Sequence, residues 1–226
     1  MAESTFDASL RTGAPAAVHR SQERATPHPW PSPHIRAANL EDLEELTEVL
    51  ASSFYDHTGW LAWLYPILKL GIKEDLKQRL KTDRSRYACL AVVAPATVGS
   101  PSLAEAPLAK DIIVGTVEIS QRQSWPWQPT SPQYAYISNL AVAQSHRRQG
   151  WAAQLLVACE ALATTWQLDH LYLHVMEDNP GARRLYRRAG FEVFHHEETL
   201  AVWLGLQTRR LLLHKAVASS PRPGTS

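Results

Sequence analysis

The sequence predicts an α/β (α+β) domain, a mixed central sheet flanked by helices in three layers. Three observations predict it. Stretches of apolar residues with period two interleave along the chain with stretches of helical period. The longest helical stretch follows an apolar strand run directly, through a turn that carries a glycine. At 226 residues the chain suffices for one full core and is short for two.

Taken in order, Ile35 to Ala38 reads as a short strand. Asn39 then stands as a helix N-cap with Asp42 three positions on, ahead of Leu43, Leu46, Val49 and Leu50 at helical spacing. Trp60 to Arg84 reads as helical but interrupted near Pro66 and Gly71, so two helices are expected there. Tyr87 to Ala94 and Ile112 to Ser120 read as strands on either side of a loop, Pro95 to Lys110, that holds Pro, Gly and Ser. A Trp- and Pro-rich loop, Gln121 to Pro132, precedes the apolar strand Tyr134 to Val142. The next helix is expected from about Arg148 to Gln167, with Leu155, Leu156, Cys159, Leu162 and Ala163 on one face. Leu171 to Met176 is a strand. Pro180 suits a first helical position and Gly190 a left-handed stop, which frames a late helix. Phe191 to Phe194 and Leu211 to His214 close the sheet.

Residues 1–33 contain Pro15, Pro27, Pro29, Pro31 and Pro33 and hold no sustained period, so a disordered tail is expected there. The globular domain is expected over 34–217, with a disordered C-terminus over 218–226. Glu3, Asp7 and Glu23 argue against a plastid transit peptide, which is poor in acids. The cytoplasm is therefore expected, with the chloroplast stroma as the alternative. Apolar residues make up 45% of the chain and charged residues 20%, the balance of a soluble globular protein. A formal net charge of +1 gives no field for steering onto nucleic acid, and no nucleic-acid partner is expected. Cys89 and Cys159 lie in apolar patterns with no Cys or His at metal-ligand spacing, which implies a reducing compartment and no metal. The best apolar run, Trp60 to Leu70, is broken by Pro66 and Lys69, so no membrane span is expected. A monomer or weak dimer is the expected state.

The chemistry concentrates at Arg147-Arg148-Gln149-Gly150-Trp151-Ala152, between a strand and an amphipathic helix. A helix N-terminus presents backbone N–H groups without internal partners, and the macrodipole adds partial positive charge. Gly150 lets the backbone approach a ligand closely, Ala152 keeps the second approach clear, and Arg147 and Arg148 attract phosphate oxygens. A nucleotide-like diphosphate fits this pattern; a solvated basic helix start is the plain alternative. No Lys followed by Ser or Thr comes after the glycine and the three glycines of a dinucleotide site are missing, which disfavours ATP and NAD.

Arg147-x-x-Gly150-x-Ala152 resembles the coenzyme A signature of the Gcn5-related N-acetyltransferase (GNAT) family, and Asn179-x-x-Ala182-x-x-Leu185-Tyr186 with Ala189-Gly190-Phe191 resembles that family's late helix. The resemblance covers roughly residues 35 to 216. Tyr136 to Val142 and Leu171 to Val175 are similar to a cyanobacterial and plastid branch. It implies the GNAT fold, acetyl-CoA as acetyl donor, and direct attack by an amine without an acyl-enzyme. By the same resemblance, the backbone of Leu140, Ala141 and Val142 binds the pantetheine arm, and Arg147, Arg148, Gln149, Gly150, Trp151 and Ala152 hold the pyrophosphate. Asn179 would bind the pantetheine, and the Tyr186 hydroxyl would face the coenzyme sulfur as the acid that protonates it. The chain departs from the pattern slightly: Trp151 is bulkier than usual and Gly181 weakens the late helix.

For deprotonation His174 is the leading candidate, because an imidazole with pKa ~6.5 matches neutral pH. Alternation places it with Tyr172 and Met176, opposite Leu171, Leu173 and Val175. Tyr136 with His174 resembles the water-organising Tyr and His pair of NatE-type N-terminal acetyltransferases; the plain reading is a core histidine against a packing tyrosine. Glu118 is the reserve base, although a strand glutamate is expected to face solvent. His195 and His196 point to opposite faces and, with Glu197 and Glu198, read as ordinary surface. Trp60, Trp63 and Tyr65 read as core, the usual place of an aromatic helix stripe, with an acceptor groove as the alternative that the family resemblance implies. The expected acceptor is a protein or peptide amine, an N-terminus or a lysine. A small-molecule amine and a non-catalytic coenzyme-binding module are the alternatives.

Overall fold

The computed structural model describes residues 33–54, 65–81, 85–95, 111–123, 132–197 and 208–217. Residues 1–32 of the tail expected over 1–33, the C-terminus from 218, Trp60, Trp63 and most of the two long loops lie outside those residues. Its strands are β1 (His34–Ala37), β2 (Tyr87–Pro95), β3 (Asp111–Gln123), β4 (Gln133–Val142), β5 (His170–Met176), β6 (Glu192–Glu197) and β7 (Arg210–Ala216). They form one sheet in the order β1-β2-β3-β4-β5-β7-β6. Every neighbouring pair is antiparallel except β4 and β5, which run parallel.

That parallel pair positions the site. Its ladder joins Ala135, Ile137 and the residue between them to Leu171–Leu173, and it extends no further. Beyond Ile137, β4 continues to Val142 and β5 to Met176 without pairing, so an unladdered strand edge opens in the middle of the sheet. Unpaired backbone N–H and C=O groups on such an edge accept an extended ligand as a further strand would.

Helices cover both faces. On one, α3 (Trp151–Thr165) and α4 (Pro180–Arg188) bury Leu155, Leu156, Cys159 and Tyr186 against Val117, Ile119, Leu171, Leu173 and Leu211. On the other, α1 (Leu43–Phe54) and α2 (Tyr65–Lys81) bury Leu46, Val49, Leu50 and Leu76 against Cys89, Ala91, Val93 and Ile113. The result is the three-layer mixed sheet the periodicity predicts. Both cysteines are buried free thiols, each pushed up to about 12 by burial and so unreactive. Among the described residues no helix is long and apolar enough to cross a membrane.

Two helices differ from expectation. Over 65–81 there is a single helix that runs unbroken through Gly71, with Pro66 in its first turn, where proline costs no hydrogen bond. Glycine costs a helix interior about 1 kcal/mol, and here the burial of Leu76 and the contacts of Lys69 with Glu48 and of Lys73 with Glu44 on α1 offset it. The second difference is α3, which starts at Trp151 and not at Arg148, because Arg148 (φ +65°) and Gly150 (φ +88°) are both left-handed.

The entry to α1 is built as the sequence implies. The Asn39 side chain accepts from the Glu41 and Asp42 amides, and the Asp42 carboxylate accepts from the Asn39 amide at 2.8 Å. Asp42 also takes a two-pronged bond from Arg36, at 2.6 and 2.7 Å. The Arg36 guanidinium, helped by the Asn39 amide, holds the Asp42 carboxyl below the usual carboxylate range. A depressed carboxyl contributes stability above its unfolded pKa of ~3.9, and that contribution is lost as pH falls through the lower folded value. Asp42→Asn is therefore expected to destabilise the fold by about 1–2 kcal/mol at neutral pH. Urea denaturation should show the gap between parent and variant narrowing below about pH 4.

Candidate active site

The open edge of β4 is set by a bulge. Between the pairs Glu118↔Ser138 and Thr116↔Ala141, β4 carries one residue more than β3, and Asn139 takes up the difference at φ +53°. Asparagine tolerates this left-handed conformation better than most residues, and its Nδ2 donates to Glu118 Oε1 at 2.7 Å. The other carboxylate oxygen, Oε2, accepts from Arg79 Nη1 on α2 at 2.8 Å. Glu118 thus does not face solvent: it is 2% exposed, in the wall of an open pocket of about 420 Å³ shared with Asp75, Arg79 and Asn139. Oε1 thus holds the bulge and Oε2 holds α2, so both oxygens are engaged in structural bonds. Past the bulge, Ala141 turns into the core while Leu140 and Val142 stay half-buried beside the cleft.

The turn after β4 presents its amides. Residues 147–150 are exposed, and Trp151 and Ala152 half-buried. Gly150 is the N-cap of α3 and no side chain caps the helix, while the first helical bond runs from the Gln154 amide to the Gly150 carbonyl at 3.1 Å. The amides of Trp151, Ala152 and Ala153 therefore have no intrahelical acceptor. A methyl group at Gly150 would meet no atom within 4 Å, so the requirement for glycine there is its positive φ and not lack of space. Arg147 Nε donates to the Val142 carbonyl at 3.0 Å, tying the turn to the end of β4. Gln149 accepts from Trp151 Nε1 at 3.3 Å. Uncapped amides beside an exposed Arg148 suit a diphosphate, and the open β4 edge suits an extended arm, so these residues fit coenzyme A.

Asn179 caps α4, its Oδ1 accepting from the Ala182 amide at 3.0 Å. About two turns on, Tyr186 is 8% exposed and packs edge-on against Phe191 with ring centroids 6.0 Å apart. Burial, and next the nearby Tyr136, push its hydroxyl up to about 12. At neutral pH it keeps its proton.

Tyr136 and His174 meet directly. The Tyr136 hydroxyl lies 2.6 Å from His174 Nδ1, so these two atoms bond without an intervening water. His174 Nε2 lies 2.6 Å from Glu197 Oε1 on β6. Burial lowers the imidazole pKa while the Glu197 carboxylate opposes the shift, and burial likewise raises the Tyr136 phenol. Arg122 stacks its guanidinium 3.6 Å from the Tyr136 ring centroid. Sequence reasoning missed Glu197, grouping it with His195 and His196 as surface. Those two are indeed exposed, but a register shift between Val193 and His195 breaks the alternation of β6 and turns Glu197 toward His174. Tyr65 is half-buried at the start of α2, its hydroxyl 3.5 Å from Glu48.

Residues 77–191 match the model of the acetyltransferase (GNAT) family. The chain belongs to this family. It is 28% identical over 194 residues to the chloroplastic GCN5-related N-acetyltransferase 10 of Arabidopsis thaliana, covering 83% of this chain and 73% of that one. To the chloroplastic GCN5-related N-acetyltransferase 7 of the same plant it is 30% identical over 171 residues, which is 66% of this chain and 61% of the relative. Among solved structures it resembles Arabidopsis thaliana NAA60 in complex with a bisubstrate analogue, with a TM-score of 0.60 and 18% identity over 84% of this chain and 100% of that one. The same enzyme in complex with acetyl-CoA gives a TM-score of 0.58 at 18% identity, over 82% of this chain and 99% of the other. The fold is thus the GNAT fold. By family membership the chain is an acetyltransferase, and NAA60, which shares its fold, binds acetyl-CoA.

Proposed function

We propose that the chain transfers the acetyl group of acetyl-CoA directly to primary amines of proteins, at N-termini, lysine side chains or both. The observation that carries this reading is the Tyr136–His174 contact beside the cleft between β4 and β5, on the sheet face opposite α3 and α4. Acetyl-CoA supplies the acetyl group as an activated thioester. Leu140, Ala141 and Val142 offer the strand edge for its arm, with Asn179 beside it, and Arg147, Arg148, Gln149, Gly150, Trp151 and Ala152 offer the turn for its diphosphate. Tyr136 and His174 remove the ammonium proton. Tyr186, held protonated, serves as the acid.

A protein N-terminus has pKa ~7.7–8.0 and a lysine ~10.4, so the neutral imidazole suits the first better and needs more help with the second. A polymer end also fits the ground next to the site. Tyr172 stacks edge-on between Tyr134 and Phe194, at 5.0 and 5.5 Å, and Phe194 is 63% exposed. Such a wall suits the apolar side chains of a peptide beside the reacting amine. Of the two compartments, the stroma has the support of relatives, since five of them are chloroplastic, against the acidic residues Glu3, Asp7 and Glu23.

The test is incubation of the protein with acetyl-CoA and a peptide library bearing free N-termini and internal lysines, read by mass spectrometry. Modified peptide amines are the expected result. Turnover confined to polyamines would move the acceptor to small molecules, and acetyl-CoA binding without any turnover would reduce the chain to a binding module.

A further inference from the structure

We propose that Glu197 is a positioning residue for proton transfer, completing a Tyr136–His174–Glu197 relay in which the Tyr136 oxygen, and not the imidazole, meets the amine. The inference rests on the proposed acetyl transfer and concerns the path of the proton within it. Both ring nitrogens of His174 are engaged, Nδ1 by the Tyr136 hydroxyl at 2.6 Å and Nε2 by Glu197 at 2.6 Å. A carboxylate only accepts, so the single N–H of a neutral imidazole lies on Nε2 and donates to Glu197. Nδ1 must then accept, and the proton on that bond is the phenolic one. No lone pair of the ring is left for an amine. A proton from the ammonium reaches His174 only through the Tyr136 oxygen.

The step balances without any further reagent. The ammonium N–H bond breaks and its proton goes to the Tyr136 oxygen, while the phenolic proton passes to Nδ1. The products are a neutral amine, a neutral Tyr136 and an imidazolium whose Nε2–H still donates to the Glu197 carboxylate. Glu197, with 34% side-chain exposure against 20% for His174, lies nearer water and is the exit for the stored proton.

The charges around His174 give Glu197 its part. Burial opposes a positive charge on the imidazole most, Glu197 on β6 favours it, and Arg210 on β7 and then Arg122 on β3, stacked on Tyr136 of β4, oppose it. On its own strand Tyr172 and Met176 share its face and carry no charge there. Arg210 Nε also lies 3.4 Å from Glu197 Oε2 and steadies the carboxylate. Glu197 is thus the one described anion of this set.

Glu197→Gln tests the relay in the substrate-free protein and in turnover. NMR titration should show the His174 pKa falling by about one unit or more, because the variant loses the attraction that favours imidazolium. The acid limb of the kcat/KM profile, which reports neutral His174, should move to lower pH while the plateau falls roughly 10- to 100-fold. Glu197→Asp should restore part of both. A residue that merely braced β6 would lower the plateau and leave the limb and the titration where they were. If Glu197→Gln leaves the His174 titration unmoved while His174→Ala lowers turnover, the relay is overturned and the acetyl-transfer reading stands. Full turnover in His174→Ala would overturn the relay and the part given to His174, with acetyl transfer itself intact, whereas the absence of peptide turnover in the parent protein would overturn the acetyl-transfer reading.

Discussion

Replacing His174 with Ala is expected to lower kcat by roughly 100- to 10,000-fold, the span that general acid–base groups contribute, and to leave the affinity for acetyl-CoA within about twofold. The separation follows from where the groups sit. The turn proposed to hold the diphosphate is anchored by the Arg147 bond to Val142 and by the left-handed Arg148 and Gly150, none of which involves His174. Among the described residues His174 bonds Tyr136 and Glu197, on the opposite side of the sheet from α3. Tyr136→Phe removes the oxygen at the head of the same path and should cost nearly as much. Because both residues serve one proton, the double variant should lose little beyond the worse single one. Steady-state kinetics with a modified peptide, together with calorimetry for acetyl-CoA, measures each quantity. Equal losses of turnover and acetyl-CoA binding would refute the assignment, as would multiplicative losses in the double variant.

Local rules made much of this molecule readable. The alternation of β5, buried at Leu171, Leu173 and Val175 and half-buried at Tyr172, His174 and Met176, is what period two predicts for a sheet with one sealed face. The Asn39–Asp42 box, Pro180 at the start of α4 and Gly190 at φ +86° after its end are each settled by a few neighbouring atoms. The two family motifs were legible for the same reason, since a cap, a left-handed glycine and a helix start are contiguous in sequence.

What escaped depends on partners far along the chain. Glu118 looks like any strand glutamate until Arg79, 39 residues away, and Asn139, 21 residues away, converge on it. Glu197 reads as surface until the shift in β6 turns it to His174 across β7. The unbroken α2 needs α1 beside it, because packing and not propensity carries a helix across glycine. Bulges and long-range ion pairs are tertiary facts, and no window of local pattern contains them.

The largest stability loss is expected at Glu118. Its side chain is 3% exposed and bonds a guanidinium on α2 and an amide on β4, so it fastens a helix of one layer to the bulge that shapes the cleft. Breaking a buried charged pair typically costs about 3–5 kcal/mol. Arg79 keeps 36% side-chain exposure and a second partner, Asp75, at 2.6 Å, so it recovers some of that loss. About 2–3 kcal/mol is therefore expected for Glu118→Ala by urea denaturation. The same variant leaves Asn139 in a left-handed conformation without the bond that holds it there. Glycine adopts such a φ without strain, so Asn139→Gly in the Glu118→Ala background should cost less than Asn139→Gly in the parent. Acetyl-CoA affinity should fall in Glu118→Ala and partly return in the double variant, since the edge at Leu140 to Val142 follows the bulge. Additive losses in the two variants would mean that Glu118 stabilises α2 alone and has no part in shaping the cleft.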